Sequence, residues 1–185
     1  MKRVLVILIL SSVLVGCASS STLMRTAAQK PDLKSGNDAM LVIVRSTFLG
    51  TAFAVQNYLD KKLIGETEGK TYFIARVSPG MHYVISECEN VTVVQINFKP
   101  GKVYYLQQDM WMGMWKPRSG YSALNPKEAK EAIARCEFWE LDKTKPGKDL
   151  DPAKYEQGLK DYQTGLKNDP KGYTQFIEYP GYSLE

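Results

Sequence analysis

The side chains that could do chemistry are few. Met110, Met112 and Met114 alternate through Asp109-Met110-Trp111-Met112-Gly113-Met114-Trp115. On an extended strand that spacing puts three thioethers on one face, and thioethers are soft ligands suited to Cu(I), with Met81 or His82 as a further ligand. The same alternation puts Trp111, Gly113 and Trp115 on the other face, so Met110, Trp111, Met112, Met114 and Trp115 also read as an interaction patch or as ordinary packing surface. His82 is the only histidine, which excludes a three-histidine metal site and a histidine-pair zinc motif; we expect no bound metal and no cofactor. A serine triad would have to use His82, which follows a Pro-Gly turn at a strand start, and no Gly-x-Ser-x-Gly elbow partners it. The spacing of Asp and Glu singles out no carboxylate pair, so no catalytic residue is assigned and no enzyme is expected. Gly65-Glu66-Thr67-Glu68-Gly69-Lys70-Thr71 resembles a phosphate loop, but it is one residue short between its glycines and carries two carboxylates that would repel phosphate.

The remaining chemistry belongs to the three cysteines. Leu14-Val15-Gly16-Cys17 resembles a bacterial lipobox, and it closes a basic start, Lys2-Arg3, followed by a short apolar stretch. From Val4 to Gly16 the chain is too short to cross a hydrocarbon core as a helix, which takes about 20 residues, and it matches the length of a secretory apolar region. The resemblance implies cleavage before Cys17 and acylation of its sulfur and amine, which would anchor the protein in a membrane. Ala18 and Ser19 lack the aspartate that resembles an inner-membrane retention signal, so outer-membrane delivery with the domain facing the periplasm is expected. Cys88 and Cys136 then form an even pair in an oxidising compartment. We expect a disulfide between them, worth roughly 3 to 4 kcal/mol on the chain-entropy estimate; the other reading is two buried thiols that pack as small hydrophobes.

Loss of residues 1–16 removes two positive charges and lowers the formal charge from +4 to +2. That near balance gives no basic stripe for nucleic acid. Residues 17–38 are small, polar and turn-forming, and read as a lipidated cysteine with a flexible tether. At this length one core suffices, and one domain is expected.

Short β-type runs follow. Met40 to Arg45, Phe53 to Leu59, Lys62 to Ile64, Tyr72 to Val77, Met81 to Ser86, Val91 to Phe98 and Val103 to Gln108 are separated by Asp60-Lys61, Pro79-Gly80 and Pro100-Gly101-Lys102. That texture predicts a mainly β fold, a small antiparallel β-sandwich of prealbumin or immunoglobulin type over residues 39–140. Asn125-Pro126-Lys127-Glu128 predicts a capped helix start, with Ala129, Ala132, Ile133 and Cys136 on one face. Residues 141–185 read as an extension: a linker at 143–148, a helix from Asp151-Pro152 to Asn168-Asp169-Pro170 carrying Tyr155, Leu159, Tyr162 and Leu166, and an aromatic-rich end. That stripe reads as a docking face for its own domain.

The order of these pieces carries a resemblance. Ala39 to Arg45, Tyr58 to Glu66, Tyr72-Phe73, Pro79-Gly80-Met81-His82 and Pro100-Gly101-Lys102-Val103-Tyr104-Tyr105 are similar to the bacterial family catalogued as domain of unknown function 2846, over about residues 38–140. The resemblance implies a compact β-sandwich in envelope lipoproteins and no catalytic residues. The expected function is therefore a non-catalytic envelope lipoprotein, held to the membrane through Cys17, with an envelope protein or cell-wall component as partner. The alternative is a periplasmic Cu(I) handler using the methionine strand.

Overall fold

Ala39–Arg45 (β2) is apolar at every position but the last, and all seven residues are buried. A run without alternation suits a strand covered on both faces, and β2 is that strand. The computed structural model describes residues 23–32, 36–48, 53–115 and 117–183. In it β2 pairs antiparallel with Thr71–Val77 (β5) and parallel with Lys102–Met112 (β8). Glu137–Leu141 (β10) runs parallel beside β5, and Met24–Thr26 (β1) closes that edge antiparallel to β10. Along the far edge of β8 lie Tyr182–Ser183 (β11) at its start and Pro117–Ala123 (β9) towards its end. A second, wholly antiparallel sheet orders Lys62–Thr67 (β4), Val55–Leu59 (β3), Gly80–Glu87 (β6) and Val91–Phe98 (β7).

The two sheets face each other, and strand alternation sorts their side chains into layers. Leu41 and Ile43 meet Val84, Val94, Ile96 and Phe98 across the inner core. Met40, Val42 and Val44 point the other way and are covered by Pro126–Ile133 (α1) with Ala132, Ile133 and Cys136. On the outer face of the second sheet, Tyr155, Leu159, Tyr162 and Leu166 of Pro152–Asn168 (α2) cover Tyr58, Ile85 and Val93. Pro170–Ile177 (α3) then brings Phe176 and Tyr179 into the inner core. The result is a β-sandwich with a helix on each outer face.

Local chemistry fixes the helix ends. Asn125 Oδ1 accepts from Glu128 N at 3.0 Å while Glu128 Oε2 accepts from Asn125 N at 2.9 Å, a complete capping box. Asp169 ends α2 and also starts α3, accepting from Gly172 N at 3.2 Å with Pro170 next to it. Asn168-Asp169-Pro170 is therefore a corner between two helices as well as a stop.

Three expectations change. The segment expected to be all tether contributes β1, whose Met24 is buried in the inner core. Two strand pairs, β2 with β8 and β10 with β5, are parallel, so the larger sheet is mixed. The stretch after residue 141 is part of the same body, because α2 and α3 pack on β7 and β11 adds to the large sheet.

Candidate functional site

Strand β8 outruns β2. Its last partner there is Gln107, opposite Val44, and beyond that point β8 and β9 continue as a hairpin to Met112 and Pro117. The strand ends at Met112, so Met114 lies in the reversal and the three methionines do not share a face. Met110 is buried at 9% exposure, whereas Met112, Met114 and Trp115 stand at 70%, 80% and 87%. Trp111, 45% exposed, lies over Gly120, where a Cβ would meet the indole at 3.0 Å.

The tip is held in this exposed state by a built contact. Glu89, in the β6–β7 turn, accepts from Met114 N at 3.2 Å, Trp115 N at 2.8 Å and Arg118 Nε at 3.0 Å. Asn90 beside it accepts from Ser119 N at 2.9 Å and donates to Ser119 O at 2.9 Å. Hydrogen bonds to an ionised carboxylate are about twice as strong as neutral ones, so the reversal is pinned to the second sheet with its large apolar side chains outward. Phe48 and Phe53 are exposed at the same end of the sandwich. Phe53 O accepts from Arg45 Nη1 at 2.7 Å, and Lys70 Nζ sits 5.6 Å from the Phe48 ring.

Beneath this end lies a polar cluster that the sequence reading missed. Arg45 is fully buried on the inner face and donates from Nη1 to Phe53 O and to Thr67 O at 3.1 Å. Burial lowers its affinity for its proton, and Cys88 and Glu68 oppose that. Thr67 Oγ1 donates to Gln108 Oε1, Gln108 Nε2 donates to Asn57 Oδ1 at 3.1 Å, and Tyr121 OH donates to the same oxygen at 2.6 Å. Ser86 and Ser119 bond across the sheets at 3.0 Å. Burial drives the Tyr121 phenol far above its ordinary range. The contacts from Thr67 through Gln108 and Asn57 to Tyr121, with the Ser86–Ser119 bond, tie the two sheets in register.

His82 lies at the other end, at the start of β6. A rise of about 3.3 Å per residue puts it and Met81 about 23 to 26 Å along the strand from the Glu89 turn, so neither can join Met112 and Met114 around one ion. A Cu(I) site there would have to do without Met81 and His82. Among the described residues no three of His, Cys, Asp and Glu gather as metal ligands.

His82 does have a notable setting. Its Nδ1 lies 2.9 Å from Asp60 Oδ2 and its Nε2 lies 3.2 Å from Ser78 Oγ, while Asp60 Oδ1 accepts from Tyr83 N at 3.0 Å. Serine, histidine and aspartate thus form a relay without the sequence elbow whose absence argued against one. Acyl transfer also needs donors for the oxyanion and a site that excludes water. The residue after Ser78 is Pro79, which has no N–H, Ser78 is exposed, and the Asp60 side chain is 44% exposed. What the relay does achieve is structural: Asp60 holds a positive φ of 56° in the β3–β4 turn, and its contacts to His82 and Tyr83 pin that turn to β6.

The expected disulfide is absent: Cys88 and Cys136 are both half-buried and not bonded to each other. The large sheet separates them. Cys136 lies on the outer face under α1, its Sγ 3.8 Å from Arg45 O. Cys88 lies just past β6 in the other sheet, on the side of the Arg45 guanidinium. Burial pushes the Cys136 thiol up to about 11. Cys17 and the signal-like segment lie outside the described residues. Among the described residues no helix is long and apolar enough to cross a membrane.

Residues 35–120 match the model of the family described as Protein of unknown function (DUF2846). The resemblance is thus shown, and it ends at residue 120, not near 140. An uncharacterized protein of Haemophilus influenzae is 29% identical over 111 residues, covering 60% of this chain and 66% of that relative. The match spans just under two thirds of the relative's length.

Proposed function

We propose that this chain is a non-catalytic cell-envelope lipoprotein, anchored through Cys17 in the outer membrane with its sandwich in the periplasm, which docks an envelope protein or cell-wall component through the β8–β9 hairpin. One observation carries the reading: Glu89 holds the reversal so that Met112, Met114 and Trp115 are presented to water. Exposing large apolar side chains on a pinned turn is costly unless something covers them, and aromatic and methionine side chains are enriched where partners bind. The basic start, apolar stretch and Leu14-Val15-Gly16-Cys17 support the anchor.

Two measurements on the full chain in cells test this. Metabolic palmitate labelling should be lost in Cys17→Ser; label that persists removes the anchor. A photo-crosslinking residue at position 115 should give an adduct of defined mass, lost when Met112 and Met114 are changed to serine. An adduct that ignores those changes, or none at all, ends the docking reading whatever becomes of the anchor.

A further inference from the structure

A lateral cleft of about 400 Å³ opens where the edge strands β7 and β9 of the two sheets meet the α2–α3 corner. That is within the size range of small-molecule sites. Its walls are aromatic. Trp111 lies over Gly120 on the β9 side, with its Cη2 and Cζ3 3.0 Å from where a Cβ on that glycine would sit. Tyr162 and Tyr173, on α2 and α3, meet edge to face with centroids 5.3 Å apart and an interplanar angle of 72°. Tyr121 and Phe176 close the inner end. Gly158 shapes the gap, since a Cβ there would come within 2.9 Å of Val91 Cγ1, and its absence lets α2 lie close on β7.

The charges in the cleft are of one sign. Asp109 and Asp161 both line it, and no lysine, arginine or histidine does. Asp109 Oδ2 accepts from Ser122 Oγ at 2.5 Å and Asp161 Oδ1 accepts from Gln157 Nε2 at 2.8 Å. The second oxygen of each carboxylate takes no protein partner among the described residues. Asn90 and Thr92 are committed elsewhere: Asn90 Nδ2 donates to Thr92 Oγ1 at 2.7 Å, and Thr92 Oγ1 donates to Ser119 O at 2.6 Å. The cleft therefore offers carboxylate acceptors and π-faces and few side-chain donors. An anion would be repelled, and a neutral apolar guest would strip water from two carboxylates and give nothing back. A cation satisfies both features, being drawn to carboxylates by charge and to aromatic faces by their quadrupoles.

We propose that this cleft binds a small organic ammonium ion, a primary amine or a quaternary ammonium group, between Trp111 and the Tyr162–Tyr173 pair with Asp109 and Asp161 as counter-charges. The site is independent of the anchor and of the docking tip, and shares only Trp111 with that patch.

The test titrates the full chain in detergent with choline, and with 3,3-dimethyl-1-butanol, which has the same shape without the charge, following the Trp111 indole N–H by NMR. Choline should saturate a shift at that resonance below about 10 mM. The neutral isostere should bind at least tenfold more weakly. Asp109→Asn with Asp161→Asn should weaken choline at least tenfold while leaving the remaining amide spectrum in place. Asp161→Asn alone, on the exposed side of α2, should weaken it severalfold and serves if the double variant misfolds. Equal binding of the isostere, choline binding that ignores the carboxylate changes, or no saturation in the native chain would each overturn the proposal.

Discussion

At the scale of single residues, the sharpest question is whether Ser78 is a nucleophile. The distances along Ser78, His82 and Asp60 are those of a triad, and a triad is recognised by geometry and not by position in the chain. What such a triad would still need is the right environment. Stabilising the oxyanion with preorganised donors in a dry site is usually the largest contribution to acyl transfer, and Ser78 sits in water with a proline after it. We therefore expect a fluorophosphonate probe to leave Ser78 unlabelled at neutral pH, as read by intact mass. Labelling that vanishes in both Ser78→Ala and His82→Gln would make the domain a serine hydrolase and end the non-catalytic reading. Sequence could not reveal this relay, because Asp60 and His82 are 22 residues apart and meet only through the pairing of β3 with β6. The buried cluster was hidden for the same reason: Arg45 reads as the polar end of an apolar run, and Gln108 as one polar residue in a strand, until the sheets stack.

At the scale of elements, strands with clear punctuation were legible, and pieces that owe their form to neighbours were not. Pro79-Gly80 and Pro100-Gly101 mark β6 and β8 plainly, since these turns need residues with fixed or permissive φ. β1 and β11 have three and two residues and exist only because a sheet edge is there to pair with. The methionine hairpin was misread because alternation was carried through Gly113, where the chain reverses. The disulfide was misread because parity of count says nothing about which side of a sheet each cysteine occupies. The α2 stripe was read correctly, and its docking can be tested at Gly158. Gly to Ala inside a helix ordinarily gains up to about 1 kcal/mol. Here the new methyl would press on Val91 at 2.9 Å and Val93 at 3.1 Å, both β-branched and stiff, and overpacking costs about 1 to 3 kcal/mol. The clash should win. Gly158→Ala should lower stability by about 1 kcal/mol, or roughly 2 to 4 °C in Tm for a chain of this size. Lys160→Ala, exposed on the same helix, should move it by less than about 0.5 kcal/mol. A Gly158→Ala variant more stable than the parent would mean that α2 is not seated on β7.

At the scale of the whole molecule, the fold is closed by phenols. Tyr121 OH bonds Asn57 between the sheets, Tyr58 OH donates to Gln56 Oε1 at 2.6 Å, and Tyr179 OH donates to Leu124 O at 2.7 Å while accepting from Tyr105 N at 3.1 Å, which ties the chain after α3 onto β8. Burial raises all three phenols above their ordinary value, for Tyr58 with Glu87 adding to the effect. The Cys136 thiol is raised to about 11 for the same reason. Below about pH 7.5 these groups are protonated in both states and give no pH dependence. Between there and their folded values the unfolded chain releases protons that the folded chain keeps, so the unfolded state binds fewer and stability falls as pH rises. Tm should thus be insensitive to these groups through neutrality and drop steeply from about pH 9, with tyrosine absorbance near 295 nm rising together with loss of the far-UV signal and not before it. Tyr121→Phe sharpens the test. It removes one titrating phenol and one buried hydrogen bond, so it should cost about 1 kcal/mol at pH 7 and yet decline less steeply in alkali than the parent. A parent whose Tm holds to pH 11, or whose tyrosines ionise while the sheets stay folded, would show that these hydroxyls open to water and that the C-terminal segment is not the closure of the sandwich.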